Sequence, residues 1–79
     1  MSNRFPNVEF KKFIKFIESL GWIYSSTVGS HHKYYKKGVL RPLIIPYDKE
    51  VSKGTVQSNL KTMKITRNEF IQMYRDFKK

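Results

Sequence analysis

Residues 22–46 of this 79-residue chain read WIYSSTVGSHHKYYKKGVLRPLIIP. The stretch contains three runs, residues 22–28, 31–37 and 43–45, that are rich in the β-branched and aromatic residues favoured in strands. Gly29-Ser30 separates the first two runs, and the turn signal Lys36-Lys37-Gly38 ends the second. Because consecutive strands with short links usually pair side by side, the stretch predicts an antiparallel meander of three strands.

An amphipathic helix is predicted before the strands. Apolar residues recur at helical spacing from Val8 to Leu20, and Asn7 is the expected N-cap. Gly21 stands where a left-handed glycine would end the helix. Phe16 falls beside the main apolar stripe, which consists of Phe10, Phe13, Ile14, Ile17 and Leu20.

Two further helices are predicted after the strands. The first begins at Val51-Ser52 with Ser52 as its N-cap, and the second begins at a capping box of Thr66 and Glu69. Ile65 and Phe70 are placed as a hydrophobic staple at the second start. The predicted buried residues are Val56, Leu60 and Met63 on the first helix, and Phe70, Met73, Tyr74 and Phe77 on the second.

The order of elements is therefore helix, three strands, helix, helix. This order predicts an α+β domain with its helices on one face of a three-stranded antiparallel sheet. The opposite face must then be solvated or bind a ligand. A chain of 79 residues has room for one domain, so we expect residues 1–79 to fold as a single unit.

The charge of the chain is strongly positive. Sixteen Lys and Arg residues stand against six Asp and Glu residues, which leaves a formal net charge of +10. Such an excess favours a polyanionic partner. Nucleic acid is the first choice, and an acidic protein or a membrane surface is the alternative.

Several function classes are disfavoured by what the sequence lacks. The chain has no cysteine, which excludes disulfides, thiolate zinc sites and cysteine nucleophiles. No apolar run approaches the roughly 18 residues of a spanning helix, and residues 1–7 do not resemble a secretory signal. We therefore expect a cytoplasmic protein with no membrane partner, no metal and no other cofactor.

The two histidines of the chain, His31 and His32, directly follow Gly29-Ser30. Neighbouring strand residues point to opposite faces, so at most one histidine faces the helices, and the two cannot share one metal ion. With an ordinary pKa of about 6.5, a histidine can act as general acid or base near neutrality. One of them could cleave RNA, whose own 2′-OH attacks the adjacent phosphate. The alternative is a pair of strand histidines without a catalytic role.

Basic and aromatic residues surround these histidines. The basic ones are Lys33, Lys36, Lys37 and Arg41 near the second strand, and Lys49, Lys53, Lys61 and Lys64 around the second helix. The interleaved tyrosines are Tyr24, Tyr34, Tyr35 and Tyr47. Together they could pair with phosphates and stack on unpaired bases. The alternative is a solvated lysine face with tyrosines half in the core.

Several segments also occur in a familiar order and spacing over roughly residues 8–70. They are FKKFIKFIESLGW at 10–22, Gly29-Ser30-His31-His32 followed by Tyr34, Ile44-Ile45-Pro46, and Lys53-Gly54-Thr55-Val56 with Ser58 and Leu60-Lys61. Together these segments resemble the HicA family of toxins. The resemblance implies a double-stranded-RNA-binding-domain-like fold, metal-independent cleavage of mRNA, and inhibition by a HicB-type antitoxin, which the charge of this chain suggests is acidic.

The resemblance also assigns roles by position. His31 matches the catalytic histidine of the family motif, and His32 is the fallback. Gly54 and Thr55, at the start of the second helix, would position phosphate or stabilise the fold. The expected RNA-binding residues are Gly29, Ser30, Lys33, Lys36, Lys37, Arg41, Lys53, Gly54 and Thr55.

The chain departs from the family pattern in two places. Many members have a histidine just after the proline that ends the third strand, whereas here Tyr47-Asp48 follows Pro46. The usual end of the second helix is replaced by Lys61-Thr62-Met63-Lys64-Ile65. Two other functions stay open. One is a non-catalytic RNA-binding domain of the same fold, and the other is a DNA regulator that uses the second and third helices as a helix-turn-helix and presents Arg67, Asn68 and Arg75.

Overall fold

One helix, three strands and two further helices follow one another in the computed structural model, which describes residues 5–77. The ends of the expected 1–79 domain lie outside the described residues. The elements are α1 (Phe10–Ser19), β1 (Ile23–Val28), β2 (His31–Tyr35), β3 (Leu43–Pro46), α2 (Lys53–Met63) and α3 (Arg67–Asp76). The strands form one antiparallel sheet in the order β1-β2-β3. The predicted α+β class is confirmed, and the arrangement is that of a double-stranded-RNA-binding-domain-like fold with α3 added.

The core lies on one face of the sheet. Tyr34 of β2 and Leu43 and Ile45 of β3 are buried there, against apolar side chains from all three helices. The helix residues of this core are Phe10, Phe13, Phe16, Ile17, Val56, Leu60, Phe70 and Tyr74. Phe16, which falls beside the predicted stripe, is therefore a full core residue.

Phe70 of α3 is the centre of an aromatic cluster. Its ring is fully buried, with centroids 6.2 Å from Phe13, 5.6 Å from Phe16, 5.6 Å from Phe5 and 5.0 Å from Tyr74. Rings at these separations interact favourably beyond the area that they bury. The cluster packs α3 against α1.

Most of the predicted helix ends are confirmed. The Ser52 hydroxyl accepts from the Thr55 N–H at 3.2 Å, so Ser52 caps α2. At α3, Thr66 Oγ1 accepts from the Glu69 N–H, and the Glu69 carboxylate accepts from the Thr66 N–H at 2.8 Å, which completes the capping box. Gly21 has φ +98°, the predicted left-handed residue after α1.

The predicted N-cap of α1 is wrong. The helix begins at Phe10, and Glu9 occupies the cap position without a side-chain cap bond. The segment before α1 is extended and pairs with the loop before α2, because the Val51 N–H donates to the Val8 carbonyl at 2.8 Å. A cap at Asn7 would have placed residues 8 and 9 inside the helix, but they are extended and take part in this pairing.

Strand β2 is shorter than predicted. It ends at Tyr35 and not at residue 37, because the chain turns there and the Val39 N–H donates to the Lys36 carbonyl at 3.0 Å. The turn signal Lys36-Lys37-Gly38 therefore follows the strand and does not form its last residues.

Tyr74 places a polar atom in this core. Its hydroxyl is buried near the backbone of Glu9 but has no hydrogen-bond partner among the described residues. Burial, with a smaller contribution from the Glu9 carboxylate, raises the pKa of Tyr74 to about 12. The folded protein therefore holds this phenol protonated at a pH where the unfolded chain, with a tyrosine pKa of about 10, releases the proton.

Replacing Phe70 tests the aromatic cluster. Phe70→Ala should lower the free energy of unfolding by about 3–5 kcal/mol, because it removes a fully buried ring and leaves a cavity. Leu40→Ala is the matched control: Leu40 is fully exposed, so the change should stay within about 0.5 kcal/mol. Urea denaturation measures both. Equal losses in the two variants would contradict a core centred on Phe70.

Tyr74→Phe tests the buried hydroxyl. At pH 7 this variant should be as stable as the wild type or slightly more stable, because an unpartnered buried hydroxyl is removed. Wild-type stability should fall as pH rises from about 10 through 12, and the variant should lose less over that range. Thermal melts at pH 7, 10 and 11 measure the difference. A clear loss of stability at pH 7 would show that the hydroxyl is bonded.

Candidate functional site

An irregularity in β1 decides which side chains reach each face of the sheet. Tyr24 pairs with Tyr34, but Ser26 pairs with Lys33, so Ser25 is an extra residue in a β-bulge. The bulge places Tyr24 and Thr27 on the helix side. We call the other side the open face; it consists of Ile23, Ser26 and Val28 of β1, His31, Lys33 and Tyr35 of β2, and Ile44 and Pro46 of β3.

A tight turn presents the start of β2. Val28 pairs with His31, so Gly29 and Ser30 form a two-residue hairpin loop. Gly29 has φ +62° while Ser30 has no positive φ, the pattern of a type II′ turn with glycine in first position. The Ser30 carbonyl accepts from the Tyr47 N–H at 2.6 Å, which ties the loop after β3 to this turn.

His31 lies on the open face at this end of the sheet. It is exposed, and its cross-strand neighbours are Val28 on β1 and Pro46 on β3. Within residues 5–77, no hydrogen bond holds its imidazole ring. A ligand on the open face can therefore reach the His31 side chain.

His32 lies on the helix side in a different environment. Its Nδ1 is 3.3 Å from the Thr27 hydroxyl, which is in turn 2.5 Å from the Tyr24 hydroxyl. Its ring is 5.2 Å from Phe10 and 6.0 Å from Tyr47, measured between centroids. The two histidines therefore lie on opposite faces, as strand alternation predicts, and His32 is the one held in place by neighbours.

The predicted RNA-binding residues form separate groups. Lys33 is on the open face two residues from His31, whereas the stem of Lys36 lies against Gly21. Lys37 and Arg41 are exposed in the segment between β2 and β3. The structure thus brings Lys33 beside His31 on the open face, whereas Lys36, Lys37 and Arg41 follow β2 in the segment before β3.

The start of α2 lies at the far edge of this region. Pro46, the neighbour of His31, shares a cavity of about 210 Å³ with Thr55 of α2. Asp48 and Glu50 also line this cavity, and their carboxylates oppose a bound phosphate there. Thr55 therefore lies near the His31 end of the sheet, whereas Lys53 Nζ lies 5.7 Å from the Phe5 ring centroid.

The tyrosines divide between core and surface. Tyr34 is buried, so its predicted role as a base-stacking residue is wrong; burial, followed by Glu18 and Tyr24, raises its pKa. Tyr24 and Tyr47 are exposed on the helix side, beside His32. Tyr35 is the tyrosine of the open face.

Sequence reasoning missed the chain of hydroxyls from Tyr24 through Thr27 to His32. The bulge creates this chain of hydroxyls by placing Tyr24 and Thr27, which are three residues apart, on the same side of the sheet. Ser25 is neither glycine nor proline, so its residue type does not indicate a bulge. As a result of the bulge, Ile23 and Val28, which are separated by an odd number of positions in one strand, lie on the same exposed face. Strict alternation would place them on opposite faces.

No group of three or more His, Asp or Glu side chains within residues 5–77 is arranged to hold a metal ion. No helix in that part of the chain has the length and apolar composition needed to cross a membrane.

Comparison with known proteins gives one family. The family model described as HicA toxin of bacterial toxin-antitoxin matches residues 10–65, more than half of the chain. The match spans α1 to the end of α2 and includes both histidines, whereas α3 lies beyond it. No curated protein and no solved structure matches the chain.

A pair of glycine substitutions tests the turn that presents His31. Gly29→Ala should destabilise the protein by about 1–2 kcal/mol, because an L-residue is strained at positive φ. Gly54→Ala is the matched control: Gly54 has no positive φ and open space around it, so alanine should stabilise α2 by up to about 1 kcal/mol. Chemical denaturation measures both. A Gly29→Ala variant as stable as the wild type would contradict the strained turn.

Proposed function

The chain belongs to the HicA toxin family of bacterial toxin-antitoxin systems, and from this we propose that it is an endoribonuclease that cleaves mRNA with His31 as its general acid or base. Family membership makes the protein a toxin that has an antitoxin partner. The observation that carries the proposal is the position of His31, exposed on the open face beside Lys33.

The proposed reaction requires the protein to supply only proton transfer and positive charge. The 2′-OH of RNA attacks the adjacent phosphorus, a new P–O2′ bond forms, and the bond to the 5′-oxygen breaks, which leaves a 2′,3′-cyclic phosphate and a 5′-OH. A proton leaves the 2′-OH and another reaches the 5′-oxygen. An accessible imidazole can transfer such protons near neutral pH, and nearby cations stabilise the charge on the phosphate.

The charge around His31 supports the same proposal. Residues 19–47, which span the sheet and its turns, contain four Lys or Arg residues and no Asp or Glu. All six acidic residues lie on either side of this segment. One of these cations, Lys33, lies in a strand, and the other three lie between β2 and β3. The segment is therefore positive without an opposing charge of its own, which favours approach of a polyanion to the surface that carries His31.

His32 is the second candidate for the catalytic role. Its Nδ1 contact with Thr27 fixes the ring, and a fixed ring is typical of a working histidine. However, the rings of Phe10 and Tyr47 cover its sides, so less of it can reach a phosphate. We therefore assign catalysis to His31 and a supporting place in the sheet to His32.

We propose that the antitoxin is a HicB-type protein with an acidic surface. A net charge of +10 on a chain of 79 residues would speed its association with an acidic partner. The expected supporting observation is an adjacent reading frame that encodes a small acidic protein.

A non-catalytic RNA-binding domain is the alternative. Tyr47-Asp48 stands where many family members have a second histidine, and loss of that group could leave binding without cleavage. Such a protein would bind RNA in a salt-sensitive way and leave it intact after long incubation. A DNA regulator, in contrast, would prefer duplex DNA over RNA in direct competition.

Matched histidine variants test the proposal. Wild-type protein should cleave RNA in the presence of EDTA and leave cyclic phosphate ends. His31→Ala should bind RNA with unchanged affinity but cleave it at least about 100-fold more slowly, the usual contribution of a general acid or base. His32→Ala is the control and should retain most activity, with folding of both variants verified by circular dichroism. Full activity of His31→Ala with loss in His32→Ala would move the role to His32, and no cleavage by the wild type would contradict the proposal.

A further inference from the structure

Several large apolar side chains are exposed on the open face. Ile23 is 69% exposed, Val28 63%, Tyr35 43% and Ile44 42%. These four side chains come from all three strands and surround Lys33. A cluster of exposed apolar side chains of this kind marks an interaction site.

The side chains of β2 form a line along this face. His31, Lys33 and Tyr35 alternate with the helix-side residues, so they point the same way. At a strand rise of about 3.3 Å per residue, the Cα atom of Tyr35 lies roughly 13 Å from that of His31, with Lys33 midway. An imidazole, an ammonium group and a phenol ring thus follow one another along a path long enough for a few nucleotides.

We propose that the open face is a platform for single-stranded RNA, on which Tyr35 stacks against an unpaired base and Lys33 contacts the phosphate between that base and His31. This inference rests on the proposed ribonuclease function and adds the strandedness of the substrate and the residues that hold it. Aromatic rings on a sheet surface bind unstacked bases in this way.

The chemistry of the face favours a single strand over a duplex. In a duplex the bases are already stacked, so neither the Tyr35 ring nor the apolar side chains of Ile23 and Ile44 would find a free base. Lys33 is the one Lys or Arg among the eight open-face residues, whereas a duplex presents phosphates on two strands. A single strand offers both bases and phosphates to this mixed surface.

The position of the face beside His31 favours RNA over a protein partner. The surrounding segment has no acidic residue to repel phosphates, and the apolar residues are continuous with His31, the proposed site of cleavage. The antitoxin is the competing occupant of these side chains, and a Tyr35→Ala variant that loses affinity for the antitoxin alone would identify it as such.

The test measures binding of an uncleavable strand. A labelled 2′-O-methyl oligonucleotide of about twelve nucleotides lacks the free 2′-OH and stays intact, so fluorescence anisotropy reports affinity alone. Tyr35→Ala should weaken binding roughly 5- to 100-fold, the range for loss of one stacked base. Tyr35→Trp should retain affinity, and Lys33→Ala should weaken binding and reduce its salt dependence. A duplex of the same sequence should compete poorly.

Tyr47→Ala is the matched control, because Tyr47 is 60% exposed but contacts Phe10 and His32 on the helix side. Its affinity for the strand should equal that of the wild type. Equal weakening in Tyr35→Ala and Tyr47→Ala would overturn the platform, as would preference for the duplex. No binding of the strand by the wild type would also overturn it, as would a Tyr35→Ala variant that loses only antitoxin affinity.

The inference and the proposed function can fail separately. If the wild type cleaves RNA through His31 but Tyr35→Ala binds the uncleavable strand normally, the platform is wrong and the ribonuclease stands. If the strand binds through Tyr35 but natural RNA stays intact, the platform stands and catalysis is wrong.

Discussion

Burial of Tyr34 in the middle of β2 is the constraint on which the candidate site depends. Its ring lies in the core against the helices, in contact with Tyr24. Since side chains alternate along a strand, this anchor forces His32 to the helix side and His31 to the open face. A register shift of one residue would exchange the two histidines and expose the buried ring. The packing of Tyr34 therefore sets the position of His31, although no hydrogen bond within residues 5–77 holds the His31 ring itself.

One-sided packing links the fold to the site. All three helices cover the same face, and α3, which lies beyond the family match, supplies the ring at the centre of the core. The second face of the sheet can stay uncovered because apolar contacts between the first face and the helices hold the sheet in place. An uncovered sheet face with a net positive charge is then available to a ligand.

Much of the fold could be predicted because its signals are local. The capping box of Thr66 and Glu69, the N-cap at Ser52 and the left-handed Gly21 are each encoded within a few residues. The N-cap of α1 could not be predicted, since the extended segment before it pairs with residues that are distant in sequence. Of the site, the turn and the opposite faces of the histidines follow from the sequence. The bulge at Ser25, which unites Tyr24 and Thr27 with His32, depends on pairing between strands and has no local signal.

In the proposed ribonuclease the open face, and not the helix side, is the RNA-binding surface. Chemical-shift mapping by NMR tests it most directly, with isotope-labelled protein titrated with an uncleavable single-stranded RNA. The account predicts that the largest shifts concentrate on Ile23, Lys33, Tyr35 and Ile44 and on the imidazole of His31. Shifts concentrated on α1, α2 or the side chains around His32, with the open face unchanged, would contradict it.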